Sequence, residues 1–189
     1  ILYFILRSLF YVDATDEMQY YGQILSLQKH SALFIDDLFL QQLPYILVYY
    51  PNKMWLSFFG ADYFVIFNRF VLSFLFLLTF FYWTRLIRFA FPNFKYVYPL
   101  ALCLILNVSF HGIFALNYNT GANLLWTTVL LVILAKQYNS LNASILPFMA
   151  LFHPPSFLSA SLVFIFFGMS NSSTNEFKSK IFAIIISSI

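Results

Sequence analysis

Charge is scarce in this chain. Asp, Glu, Lys and Arg together make up 9% of its 189 residues, against about 25% in an ordinary soluble domain. With 61% hydrophobic residues and a mean hydropathy of +0.80, that deficit excludes a typical soluble fold. The net charge is only +3, and no basic stripe runs through the sequence, which argues against nucleic acid as a partner. The single cysteine, Cys103, excludes an intramolecular disulfide. Its place within an apolar run predicts a small buried residue. Cysteine and histidine are too few for a zinc centre of the usual type. No Gly-rich phosphate loop and no internal repeat is present.

What is abundant is long apolar sequence. A helix needs about 20 apolar residues to cross a hydrocarbon core, whereas barrel strands are about 9–11 residues and alternate in polarity. The apolar blocks here are long and continuous. The predicted fold is all-α: one polytopic transmembrane helical bundle over residues 1–189, with amphipathic helices in its first outer loop. The expected segments are 1–12 (the end of a first span), 13–62 (an outer loop), then spans over 63–88, 96–116 and 122–136. A broken span or hairpin follows over 143–168, and a last span starts in 178–189. The half-length first run and the apolar last run predict a piece of a longer membrane protein. Residues Asn117 to Gly121 read as a short polar loop.

Orientation follows from the cations. Arg85, Arg88 and Lys95 crowd the end of the 63–88 span, and Lys and Arg accumulate in cytoplasmic loops. The acidic segment 13–62 is then on the outer face, in a bacterial inner membrane. Within 143–168 the sequence His153-Pro154-Pro155 cannot continue a regular helix, because each proline lacks a donor and blocks the preceding turn. A single kinked span and a hairpin both fit. Lys178 and Lys180 return to the cytoplasm only in the hairpin, which the charge bias favours.

Few residues are left to carry chemistry. Asp13, Asp16 and Glu17 follow the first apolar run, where charge is costly. A carboxylate there can take a proton from an attacking hydroxyl or help to hold a divalent cation, magnesium or manganese. The same acids in a first helical turn also cap it and offset its dipole. The residues after them, including Tyr21, Ile24 and Leu25, recur near helical spacing and predict an amphipathic interfacial helix. Asp36 and Asp37 are candidate acceptor or metal contacts, or a solvated loop pair. Lys53 is a phosphate candidate, or a side chain reaching for headgroups. Trp55 reads as a headgroup anchor. Arg69 lies inside a span and is expected to face protein or water. His153, beside the prolines, could meet a lipid phosphate when charged.

Several of these residues fall in a familiar order. Asp16-Glu17 directly follows the first helix, and Tyr20-Tyr21 comes next. A Pro/Tyr-rich segment spans Leu43 to Trp55, Phe59-Gly60 precedes the second span, and Asn68-Arg69 stands early within it. This layout resembles the GT-C glycosyltransferases, in the branch of the protein mannosyltransferases and the lipid A aminoarabinose transferases. The resemblance implies that Asp16 acts as base on an acceptor hydroxyl, with Glu17 orienting the acceptor or a metal. The partners it implies are the bilayer, a polyprenyl-phosphate-linked sugar and an acceptor of unknown kind. The chain departs from that pattern at Gln41-Gln42, Asn119 and His153-Pro154-Pro155, where the family's donor-phosphate contacts are expected. A transporter or flippase, and a non-catalytic membrane subunit, are the other readings of the same chain.

Overall fold

The structure is a computed structural model that describes residues 21–22, 24–26, 28, 43–109 and 118–171. The described residues are all-α. The helices are α1 (Leu43–Phe59), α2 (Phe64–Ala90), α3 (Val97–Ser109), α4 (Tyr118–Leu134), α5 (Ser140–Ala143), α6 (Ile145–Phe152) and α7 (Pro154–Asn171). The described residues between 21 and 28 are also helical.

The longest element, α2, has 27 residues and neither Pro nor Gly, so nothing in it interrupts the hydrogen-bond ladder. It is the one described helix that is both long and apolar enough to cross a membrane, while α3, α4, α6 and α7 contain shorter apolar helices. Its ends have local causes. Gly60 takes φ +62° and its N–H closes α1 onto the carbonyl of Leu56 at 3.0 Å, the left-handed helix ending that glycine permits. At the far end the residue before Pro92 is pushed out of helical backbone, and Phe91 sits at φ −136°. The Pro/Tyr-rich segment of the outer loop is helical as α1, with Pro51 inside it.

One face of each helix builds a common core. Leu72, Phe76, Trp83 and Ile87 of α2 meet Ala101 and Ile105 of α3, Val129 and Val132 of α4, and Leu146, Met149, Ala160 and Phe164 of α6 and α7. Two hydrogen bonds pin α2 in place: the Trp83 indole donates to Thr128 at 2.8 Å and the Tyr82 hydroxyl to Asn142 at 2.5 Å. Cys103 is exposed rather than buried as expected. The buried stripe of α3 runs through Val97, Ala101, Ile105 and Val108, and residue 103 lies on the other side of a 3.6-residue turn.

The turn after α4 is closed by its own backbone. Lys136 has φ +53°, and the Gln137 N–H reaches back to the Val132 carbonyl at 3.1 Å, a Schellman ending. Asn139 then caps α5, its side-chain oxygen accepting from the Asn142 N–H at 2.9 Å.

The block 143–168 turns back on itself. Phe152, at the end of α6, lies against Gly121 in the first turn of α4. Phe164, well along α7, stacks edge-on to Tyr138, just past the other end of α4, at 5.5 Å. α6 therefore runs antiparallel to α4 and α7 parallel to it, with the reversal at His153. Residues 118–121, read from sequence as loop, are helical. A Cβ at Gly121 would overlap the Phe152 ring, so glycine at that position is what lets α6 pack close.

Candidate functional site

The end of α2 nearest Gly60 carries the densest buried polarity. Asn52 on α1 is fully buried, and Asn68 and Arg69 on α2 are 8% and 1% exposed. The Asn68 amide nitrogen donates to the Asn52 side-chain oxygen at 2.9 Å and to the Phe64 carbonyl at 3.0 Å. These partners fix the amide orientations. A carbonyl only accepts, so Asn68 must present nitrogen to Phe64, and Asn52 must present oxygen to Asn68. The Asn52 amide nitrogen is then left buried with no partner. An unsatisfied buried donor costs about 1–3 kcal/mol, which marks a place for an acceptor. Arg69 does have an interaction partner, as a buried guanidinium requires.

Below this pair lies a cavity of about 440 Å³ between α1, α2, α4 and α6. Its wall includes Val48 and Pro51 of α1, Val71 and Leu75 of α2, Leu125 of α4 and Phe152 of α6. Asn68, Val71, Leu75 and Thr79 follow one another at i, i+3, i+7 and i+11, a single helix face. Pro51 immediately precedes Asn52. The polar pair therefore heads an apolar stripe and stands about one turn, ~5 Å, from the cavity. The Thr128 hydroxyl in the wall is already engaged, accepting from Trp83 and donating to the Leu124 carbonyl at 2.7 Å.

The segment at 21–28 closes the polar end. Tyr21 and Ile24 are buried with Val48 and Phe64, Tyr21 meets Phe64 edge-on at 6.3 Å, and the Gln28 amide donates to the Tyr49 carbonyl at 2.8 Å. The apolar face expected to lie at an interface packs on protein instead. Trp55 is half-buried. It stacks on Phe67 at 4.5 Å and donates to the Asp62 carbonyl at 3.0 Å, so it fastens the turn between α1 and α2.

The sequence-derived candidates separate. Asp13, Asp16, Glu17, Asp36 and Asp37 lie outside the described residues. Among the described residues no three His, Cys, Asp or Glu side chains come together as metal ligands. Lys53 is exposed beside Asn52 and extends over the Tyr49 ring at 5.7 Å. Arg69 faces protein. His153 stands far along the chain at the reversal, where Nδ1 meets the Ser156 hydroxyl at 2.7 Å and accepts the Ser156 N–H at 3.3 Å. The imidazole caps the start of α7. Asn52 was not singled out from sequence. Its one signal is an amide directly after a helical proline in an apolar run. The chain matches no protein-family model, no curated protein and no solved structure.

Proposed function

We propose that this chain is a polytopic membrane glycosyltransferase of the GT-C kind, taking sugar from a polyprenyl-phosphate donor in a bacterial inner membrane. The observation that carries the reading is the buried amide pair at the head of an apolar cavity. An amphiphile with a phosphate at one end and an isoprenoid chain at the other matches that order of surfaces. A phosphate at the head of the cavity would lie in the field of the unpaired Asn52 donor and of Arg69, and the chain would lie along Val71 and Leu75. At 1% exposure Arg69 acts through its field rather than through an open contact.

The surface supports a lipid setting. Phe70, Phe74, Leu78 and Phe81 form one stripe on α2, each 46–59% exposed, and Leu158, Leu162 and Phe166 on α7 are 63–69% exposed. Apolar faces this large are otherwise sites of association.

In this mechanism Asp16 takes the proton of an acceptor hydroxyl. The hydroxyl oxygen attacks the sugar C1 as the bond from C1 to the phosphate oxygen breaks. The electron pair leaves with polyprenyl phosphate, and C1 is inverted. Glu17 orients the acceptor. A transporter or flippase is the second reading, favoured by the reversal at His153 between α6 and α7, since broken helices at membrane depth mark transport sites.

A polyprenyl phosphate bearing a photoreactive group on its chain tests the reading in membranes. Labelling that maps to residues 48–51 or 121–128, and that unlabelled polyprenyl phosphate competes away, is the expected result. Labelling elsewhere, or labelling that competitor leaves unchanged, contradicts it.

A further inference from the structure

At the other end of α2 the structure has a second concavity, of about 390 Å³, lined by Phe81, Thr84, Arg85, Arg88, Phe89 and Tyr98. The five α2 residues stand at i, i+3, i+4, i+7 and i+8, so they share one face. From this pocket we infer that the protein binds the headgroup of an anionic phospholipid between α2 and α3, held by Arg85, Arg88 and Tyr98. The inference rests on the membrane setting but not on glycosyl transfer.

Charge is the first argument. Arg85 and Arg88 are like charges one turn apart, an arrangement that repels. Neither has an acid beside it among the described residues: Asp62 is the one described carboxylate, and it lies beyond the opposite end of α2, roughly 35 Å along the axis. Lys95, also exposed, adds to the positive field. An anion in the pocket would neutralise that field.

Geometry is the second argument. One Arg88 nitrogen donates to the Tyr98 hydroxyl at 2.6 Å, and the guanidinium lies over the Tyr98 ring at 5.1 Å. The guanidinium keeps four further N–H groups, and a tyrosine oxygen that accepts has its own proton to give. The exposed Arg85 guanidinium lies over the Phe89 ring at 5.7 Å. The pocket therefore offers several donors to phosphate oxygens, with no carboxylate among its lining residues.

The surroundings choose the source of the phosphate. Phe81 and Phe89, in the wall, are 57% and 50% exposed, and Phe91 and Phe94 beside it are 47% and 39% exposed. A free phosphate ion would gain nothing from these rings, whereas acyl chains below a headgroup would cover them. Basic pockets between helices at a cytoplasmic surface are suited to anionic lipid heads.

Native mass spectrometry of the whole chain, released from micelles containing phosphatidylglycerol or phosphatidylcholine, tests this. Wild type should retain phosphatidylglycerol at least tenfold better than phosphatidylcholine. The double change Arg85→Gln with Arg88→Gln should abolish that preference, and Tyr98→Phe, which keeps the ring, should reduce it several-fold. Inorganic phosphate at the same concentration should not displace the lipid. Equal retention of the two lipids by wild type, or an undiminished preference in the double variant, overturns the site. Displacement by inorganic phosphate overturns the lipid source. None of these outcomes depends on sugar transfer, so failure here leaves the glycosyltransferase reading to its own test.

Discussion

The two ends of α2 use arginine in opposite ways. Arg69 is 1% exposed, while Arg85 and Arg88 stand on the surface beside aromatic rings. A buried guanidinium is held only where partners replace its hydration. Its removal leaves those partners orphaned and a void besides. An exposed guanidinium has given up little water and contributes little to folding. The same residue type therefore supports the fold at one end of α2 and is free to serve a ligand at the other.

The comparison can be broken first at the arginines. Arg69→Ala should cost about 3 kcal/mol of stability, in the range of large-to-small changes in a core. Arg88→Ala should leave the thermal midpoint in phosphatidylcholine micelles where it was. Comparable midpoints for the two variants would remove the distinction. Gly121→Ala should cost about 2 kcal/mol by overpacking, because its methyl meets the Phe152 ring. Combined with Phe152→Leu the loss should be less than additive, and strict additivity in a double-mutant cycle would mean that α6 does not pack there. Asn68→Ala removes two hydrogen bonds and leaves Asn52 wholly unsatisfied, so about 1–2 kcal/mol should be lost. Asn68→Asp offers only acceptors to the Phe64 carbonyl and should do no better. Trp83→Phe should cost about 1 kcal/mol for the bond to Thr128, read from the denaturant midpoint.

Much of this was legible before the structure. The α2 span is visible in an apolar run without Pro or Gly, and the turn before it in Gly60-Ala61-Asp62. The break at 153–155 is visible in adjacent prolines. Kink and hairpin could not be separated locally, because the reversal is read from Phe152 on Gly121 and Phe164 on Tyr138, contacts between residues distant in sequence. For the same reason residues 118–121 looked like a loop: their polarity is local and their packing is not. The cost of charge in an apolar run kept Arg69 from lipid but left protein and water open, and the structure buries it. The Asn52–Asn68 pair was not legible, since either amide alone reads as an ordinary polar interruption and only the crossing of α1 with α2 joins them. The exposure of Cys103 was missed because an unbroken apolar run does not say which side of its helix meets protein.

The most direct test of the account is transfer of labelled sugar from polyprenyl-phosphate donors to endogenous acceptors in native membranes, wild type against Asp16→Asn. The change removes charge and keeps shape. The account predicts transfer by wild type and a loss of about 100-fold or more in the variant at equal expression, as expected for a general base. Equal transfer by the two proteins, or none by wild type, would contradict it.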